Sequence, residues 1–261
     1  MIKLASWNVN SLKVRLNAVL EWLESSQTDV LALQETKLTD DHFPTEAFID
    51  KGYHVVYSGQ KTYNGVAIIS REPITEVVRD IPGLDDPQRR ILAVNTAGIR
   101  LVNLYVPNGA ALDSDKYPYK LDWLDKVGGF IKQQLECFPE LAVVGDFNIA
   151  PDDRDVFDPI AWQGCILVSP AERKAFAELL NLGLHDSFRN FSQEADAFSW
   201  WDYRQAGFRR NRGLRIDHIL LSDGLNPYCT QSHIDKEPRK SERPSDHAPV
   251  WVALERNLVK N

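Results

Sequence analysis

Asp146 and Asn148 close the run Leu141-Ala142-Val143-Val144-Gly145-Asp146-Phe147-Asn148-Ile149-Ala150-Pro151, whose apolar, β-branched start reads as a buried strand stopped by Gly145 and Pro151. Side chains in extended backbone return to one face every second residue, so the acid and the amide can point into one cleft. A carboxylate beside a neutral amide suits work on a phosphate: one group orders a water or a hard cation, and the other donates a hydrogen bond. An isolated Asp-x-Asn is more often a turn. Here four further strand ends have the same polar character: Asn8, Glu35, Tyr105, and Asp246 with His247. Each has a plain alternative, since Asn8 fits a turn, Glu35 a surface acid, Tyr105 a core tyrosine and His247 a satisfied core histidine. Their joint occurrence outweighs those alternatives. The candidate metal-ligand set is Asn8, Glu35, Asp146, Asn148, Asp246 and His247. Oxygen-rich ligands with no cysteine nearby suit Mg²⁺, with Mn²⁺ as a substitute, rather than zinc.

Regular elements must carry these groups to a common place. Residues 2–9 read as a strand, followed by a helix with Leu12, Leu16, Val19, Leu20 and Leu23 at helical spacing. Short strands are predicted at residues 30–33, 53–57 and 66–69, the last two joined through the turn signal Asn64-Gly65. A hairpin through Thr96-Ala97-Gly98 joins residues 90–95 and 99–106. An amphipathic helix carries Leu121, Leu124, Val127, Ile131 and Leu135 on one face. Ser169-Pro170-Ala171-Glu172 is a capping box with proline at the first helical position, and that helix stops near Gly183. Residues 214–221, with Asp217 inside, and 250–254 are the last predicted strands. Strands and helices mix in blocks rather than in strict alternation, which favours two packed sheets flanked by helices. No repeat, low-complexity linker or pooled Pro and Gly marks a boundary, so one domain over residues 1–261 is expected.

A hydrophobic share of 43% and a charged share of 26% are ordinary for a globular chain, and no apolar run approaches the roughly 20 residues of a membrane span. The start of the chain has no basic segment leading into an apolar one. Cys137, Cys165 and Cys229 are few, odd in number and far apart, which argues against a disulfide framework. A cytoplasmic protein with no membrane contact is therefore expected. The net charge of −7 argues at first against a nucleic-acid partner, but Arg204, Arg209, Arg210, Arg212 and Arg215 cluster late in the chain.

Six motifs in order now carry a family resemblance. They are Ser6-Trp7-Asn8-Val9-Asn10, Leu33-Gln34-Glu35-Thr36-Lys37, Tyr105-Val106-Pro107-Asn108-Gly109, Gly145-Asp146-Phe147-Asn148-Ile149-Ala150-Pro151, Gly213-Leu214-Arg215-Ile216-Asp217-His218 and Ser245-Asp246-His247-Ala248-Pro249. From residue 2 to about residue 254 the chain resembles the exonuclease III family of abasic-site endonucleases in its bacterial form. The resemblance implies a four-layer α/β sandwich of the DNase-I-like type. It implies Glu35 as a direct magnesium ligand with Asn8 and Asp246 close by, Asp146 as the residue that orients and deprotonates the attacking water, and Asn148 as a donor to the phosphorane oxygens. His247, oriented by Asp217, would contact the scissile phosphate, and Tyr105 would sit against the phosphate or the leaving oxygen. Asn10 stands where other members carry an acid and is not assigned to the metal.

For recognition, Phe198-Ser199-Trp200-Trp201-Asp202-Tyr203-Arg204 and Arg209-Arg210-Asn211-Arg212 interleave aromatics with arginines. Phe198 is expected in the core. The family comparison puts Trp200, Leu214 and Ile216 around a small apolar pocket for a baseless deoxyribose. Lys61, Asn64, Arg90 and Lys116 are candidate backbone contacts, and Leu167 lies where a bulky residue narrows access to the pocket. The implied activity is Mg²⁺-dependent cleavage of double-stranded DNA 5′ to abasic sites, with removal of blocked 3′-ends, by a monomer. Two readings compete with it: a phosphatase of the same fold on lipid or inositol phosphates, and a DNA-binding protein without catalysis. The arginines between Trp200 and Arg215 count against the first, and the presence of Glu35, Asp146 and His247 against the second.

Overall fold

The computed structural model describes residues 1–81, 83–84 and 86–255; residues 82, 85 and 256–261 of the expected domain lie outside the described residues. The first half contains β1 (Ile2–Asn8), α1 (Leu12–Ser26), β2 (Val30–Gln34), α2 (Thr45–Ile49), β3 (His54–Ser58), β4 (Val66–Ser70), β5 (Thr75–Val78), β6 (Ile91–Thr96) and β7 (Ile99–Tyr105). The second contains α3 (Lys116–Cys137), β8 (Leu141–Asp146), α4 (Pro170–Leu180), β9 (Leu184–Asp186), β10 (Asp217–Ser222), β11 (Cys229–Ile234) and β12 (Val250–Leu254).

Among the described residues twelve strands form two six-stranded sheets, ordered β11-β12-β1-β2-β4-β3 and β5-β6-β7-β8-β10-β9. Each sheet has one parallel pair at its centre, β1 with β2 and β7 with β8, and antiparallel partners outside it. Helices α1 and α3 make the crossovers that parallel neighbours require.

The two-residue period of the strands separates the layers. Leu4, Val30, Ala32, Val66 and Ile68 of the first sheet meet Leu92, Val94, Leu101, Ala142, Val144 and Ile219 of the second in a central apolar layer. The alternate residues point outward. Trp7, Leu31, Leu33, Ala67 and Ile69 pack with Val19, Trp22 and Leu23 of α1. Ala93, Val102, Leu104 and Val143 pack with Trp123, Val127 and Ile131 of α3 and Phe176 and Leu179 of α4. The result is the four-layer sandwich expected. Ser169 and Glu172 cap α4 reciprocally, also as expected.

Some boundaries differ from expectation. The strand expected from residue 214 begins at Asp217, because Leu214 pairs with Val156 and Trp200 instead, and the Ile216 carbonyl accepts from the Phe147 amide. Strands β5, β9 and β11 and helix α2 went unpredicted. They are short, edge-lying or largely exposed, so they carry little apolar pattern.

Candidate active site

The site lies at the ends of the central strands, where open α/β sheets usually bind ligands. In register, Asn8 stands beside Gln34, Tyr105 beside Asp146, and Asp146 beside Asp217 on the antiparallel neighbour. The parallel strands β1, β2, β7 and β8 therefore deliver residues from their carboxyl ends, and β10 and β12 from their amino ends. Glu35 and Asn148 have φ of +53° and +50°, a left-handed turn rare outside glycine, directly after their strands. Gly145 prepares the second of these turns, because a Cβ there would lie 1.9 Å from the Leu104 carbonyl oxygen.

One hydrogen-bonded cluster results. Asn8 Nδ2 donates to Glu35 Oε1 and to Asp146 Oδ2, both at 2.9 Å. The Asn10 amide holds Asn8 Oδ1 at 2.9 Å, which fixes the orientation of that side chain. Lys37 Nζ lies 2.9 Å from Glu35 Oε2 and donates to Asn10 Oδ1. Asp246 accepts from Asn10 Nδ2 at 2.9 Å and Trp200 Nε1 at 3.0 Å. His247 Nδ1 sits 2.9 and 3.1 Å from the two Asp217 oxygens, and its Nε2 lies 3.8 Å from Asp146 Oδ2. Ser199 Oγ donates to Asp217 Oδ2 at 2.6 Å and accepts the Ile216 and Asp217 amides. Asn148 donates its amide proton to Asp146 Oδ1 and its Nδ2 proton to the Val106 carbonyl, while its Oδ1 accepts from Asn108 Nδ2.

Burial and mutual charge set the protonation of this cluster. Loss of water pushes the Asp146 carboxyl up to about 7, against the opposing pull of His247. Burial disfavours the His247 imidazolium, but the Asp217 and Asp146 carboxylates overcome it and raise that group to about 10. Glu35 and Asp246 also lose water, yet the Lys37 ammonium holds the first below its ordinary value, and His247 holds the second. Enclosure next to Glu35 and Asp146 pushes the Tyr105 phenol well above its ordinary range.

Ligand atoms of Glu35, Asp146 and His247 lie within 4.8 Å of one another, among the described residues the only such group of three. Two carboxylates with spare lone pairs fit a hard divalent cation, while His247, held as an imidazolium, has no lone pair to offer and stands beside them as a donor. Asp246 is close by but is held by Asn10 and Trp200.

Beside this cluster, Trp200, Leu214 and Ile216 come together with Ala150 and Val156. Leu167 packs into the same apolar cluster with only 4% of its surface exposed and a φ of +73°. The backbone of Trp200 bridges to both Leu214 and His247, which sets the pocket directly against the histidine.

The family model for the endonuclease/exonuclease/phosphatase family matches residues 5–247. The chain belongs to that family. It is 35% identical to exodeoxyribonuclease III of Haemophilus influenzae, over 96% of this chain and 99% of that one. Its structure superposes with a TM-score of 0.97 on the 3′ phosphatase NExo from Neisseria bound to a product DNA hairpin, at 46% identity over 98% of this chain and 100% of that one. An AP endonuclease from Archaeoglobus fulgidus matches with a TM-score of 0.95 at 35% identity, over 98% of this chain and all of the other.

In this member of the family the outer candidates fall into two groups. Arg90 lies against the cluster, with its guanidinium 4.6 Å above the Tyr105 ring and a hydrogen bond to the Tyr105 carbonyl. Asn64 is buried and donates to Gln60 and Gln88, so it shapes a loop with its side chain. Lys61, Lys116 and Arg212 are exposed. Lys61 lines a groove with Lys13, Lys37 and His42. Phe198 is fully buried, as expected. Sequence reasoning set Asn10 aside and gave no role to Lys37, Asn108 and Lys120. Asn10, Lys37 and Asn108 lie two or three residues from the assigned Asn8, Glu35 and Tyr105, inside the same motifs, which is the signal that was there to use.

Proposed function

We propose that this chain is a metal-dependent phosphodiester hydrolase of DNA repair that trims blocked 3′-ends of double-stranded DNA and, less efficiently, incises 5′ to abasic sites. The observation that carries the reading is the enclosed set of Asp146, Asn148, Glu35 and the His247–Asp217 pair around one small space. Relatives of the whole chain that are named as exodeoxyribonuclease III, 3′ phosphatase and AP endonuclease support it.

Asp146, whose carboxyl is raised above its ordinary value by burial, is the group that takes a proton from the attacking water. Asn148 Nδ2 faces the carboxylate and donates to phosphate oxygens as charge builds on them. The His247 imidazolium, fixed through Nδ1 by Asp217, presents Nε2–H to the scissile phosphate. Tyr105 stays a neutral phenol and donates to the phosphate or the leaving oxygen. Glu35 and Asp146 would hold the cation, with Asn8 fixing both carboxylates and Asp246 and Asn10 behind them. Mg²⁺, replaceable by Mn²⁺, would supply Lewis-acid stabilisation of negative charge there. Arg90, Lys61, Lys116 and Arg212 are proposed to follow the DNA backbone.

Leu167 decides the balance of activities in this reading. Its buried side chain packs in one apolar cluster with Trp200, Leu214 and Ile216, the residues proposed to receive an extruded sugar. A 3′-terminal nucleotide needs no extrusion from a continuous strand, so 3′-ends are the favoured substrate. A lipid or inositol phosphatase fits less well, because the segment after Trp200 presents exposed arginines, Arg204, Arg209, Arg210 and Arg212, rather than an apolar loop. The protein is proposed to act as a single folded unit, a monomer, in the cytoplasm. Among the described residues no helix is long and apolar enough to cross a membrane.

The test uses purified protein, with Mg²⁺ and separately with EDTA, on one duplex with an internal abasic site and one with a blocked 3′-end. Metal-dependent trimming that exceeds internal incision is expected, and Leu167→Gly should shift the ratio towards incision. No cleavage of either duplex would sink the reading.

A further inference from the structure

We propose that the buried ion pair Lys120–Glu172 is a positioning device that holds Asn148 at one end and Leu167 at the other, and so couples the phosphate-binding amide to the lip of the apolar pocket. The roles of those two residues rest on the nuclease reading; the coupling rests on geometry. Both side chains are fully buried, with Lys120 on α3 and Glu172 on α4. Lys120 Nζ lies 2.5 Å from Glu172 Oε1, 2.7 Å from the Asn148 carbonyl oxygen and 3.2 Å from that of Asn108. Three acceptors use up its three N–H groups. Glu172 Oε1 also accepts the Leu167 amide at 3.1 Å, and Oε2 accepts the Ser169 amide at 3.0 Å.

The two residues held in this way are strained. Asn148 and Leu167 have φ of +50° and +73°, and for a side chain as bulky as leucine the left-handed region is costly. Their turns persist only where the surroundings over-determine them, and the ion pair grips the carbonyl of one and the amide of the other. Gly109 lets the Asn108 loop lie directly on the lysine: with φ of +91°, an added Cβ would fall 3.2 Å from Lys120 Cδ and 2.7 Å from Ile166 Cδ1. The attraction of the two charges alone does not explain such a pair, because well-packed apolar residues often replace a buried ion pair without loss. Directed bonds to three loops of the site are what an apolar pair could not supply. Loss of water draws the Lys120 ammonium below its ordinary value, and Glu172 and Asp146 oppose that.

The test is the double variant Lys120→Met/Glu172→Met, which keeps the volume and removes both charges together. The expected result is a folded variant with a lowered thermal midpoint, since the Asn108 and Asn148 carbonyls and the Leu167 and Ser169 amides lose their partners, and with kcat on the 3′-blocked duplex lower by about 10- to 100-fold, the cost of ångström-scale misplacement. KM should change little, and the Leu167 and Ser169 amides should exchange faster. Lys120→Arg, which keeps charge and donors, should retain most of the rate. Wild-type kcat together with unchanged amide exchange in the folded double variant overturns the proposal and leaves the nuclease reading intact. If the double variant fails to fold, Glu172→Gln is read by the same two measurements with the same outcomes. If wild-type protein cleaves neither duplex, the nuclease reading fails, and amide exchange alone decides whether the pair holds the Leu167 turn.

Discussion

His247 and His218 are both buried, with 4% and 1% of their surfaces exposed, yet they end in opposite charge states. His247 faces the Asp217 and Asp146 carboxylates and is raised to about 10. His218 follows Asp217 in β10 and points to the other face of the sheet, where it packs on Phe147 and Phe176. Arg215 Nη1 lies 3.0 Å from its Nδ1, and its Nε2 meets the Ile149 carbonyl at 2.9 Å. Arginine can only donate, so Nδ1 accepts and Nε2–H donates: the ring is the neutral Nε2–H tautomer. Burial, then the Arg215 charge, takes it down to about 4. Burial thus opposes charge on both rings, and the nearest neighbour decides the outcome. One ring becomes a fixed cation in the cleft. The other becomes a fixed neutral strut under the Ile149 carbonyl, in the loop that also carries Asn148.

The largest way to break the catalytic half of this contrast is Asp146→Asn. It removes the base and one of the two carboxylates that keep His247 charged. Turnover on a 3′-blocked duplex should fall by about 10²- to 10⁴-fold, the usual worth of a general base, with duplex binding retained. Near-normal turnover would refute the assignment of Asp146. The corresponding break on the structural side is Arg215→Met. Arg215 pairs with Asp155 and Asp186, at 2.6 and 2.7 Å, in a region closed to water. Buried Asp186 would lose its ion-pair partner and Asp155 would keep only Arg189, so urea denaturation should show a loss of about 3–5 kcal/mol. A stability change near zero would mean that the network is not the strut described. Next in size is Asp217→Asn, which should lower the His247 pKa below about 10 in an NMR titration and cut turnover by about 10²-fold. An unmoved titration would place the origin of the His247 charge elsewhere.

The contrast also shows what could be read without coordinates. The strand-end acids and amides were legible because each ends an apolar run, and the alternating runs themselves announce sheets covered on both faces. The pocket trio Trp200, Leu214 and Ile216 came with the family resemblance rather than from any pattern, since an aromatic cluster reads first as core. Lys120 stayed hidden because it lies on the apolar stripe with Leu124, Val127 and Ile131, where a lysine reads as one that reaches out to water. Its partner was in view as a helix cap, a role Glu172 does fill, but nothing local signals that the same carboxylate also holds Leu167 and an ammonium from another helix. The opposite fates of His218 and His247 were equally invisible, because Arg215 precedes His218 by three places while Asp217 meets His247 across thirty. Chain order shows which groups exist; which charge faces which ring depends on the face of the sheet.

The smallest predicted effect isolates His218. In the folded protein its pKa is depressed to about 4 from the ordinary 6.5 of an exposed imidazole, so the native state binds its proton later than the unfolded chain. Stability from this group is therefore full above pH 6.5 and drains away as pH falls from 6.5 towards 4. At pH 5 the loss amounts to about 2 kcal/mol relative to neutral pH. His218→Gln preserves the hydrogen bonds of the neutral tautomer, with Nε2 donating to Ile149 and Oε1 accepting from Arg215, but has no proton to take up in either state. Urea midpoints for wild type and His218→Gln at pH 7.5 and pH 5 should therefore converge as the pH falls, the variant giving up less of its stability. Parallel losses in the two proteins would show that His218 is not held neutral by its surroundings, and the opposition between the two histidines would fail on its structural side while the catalytic side stood.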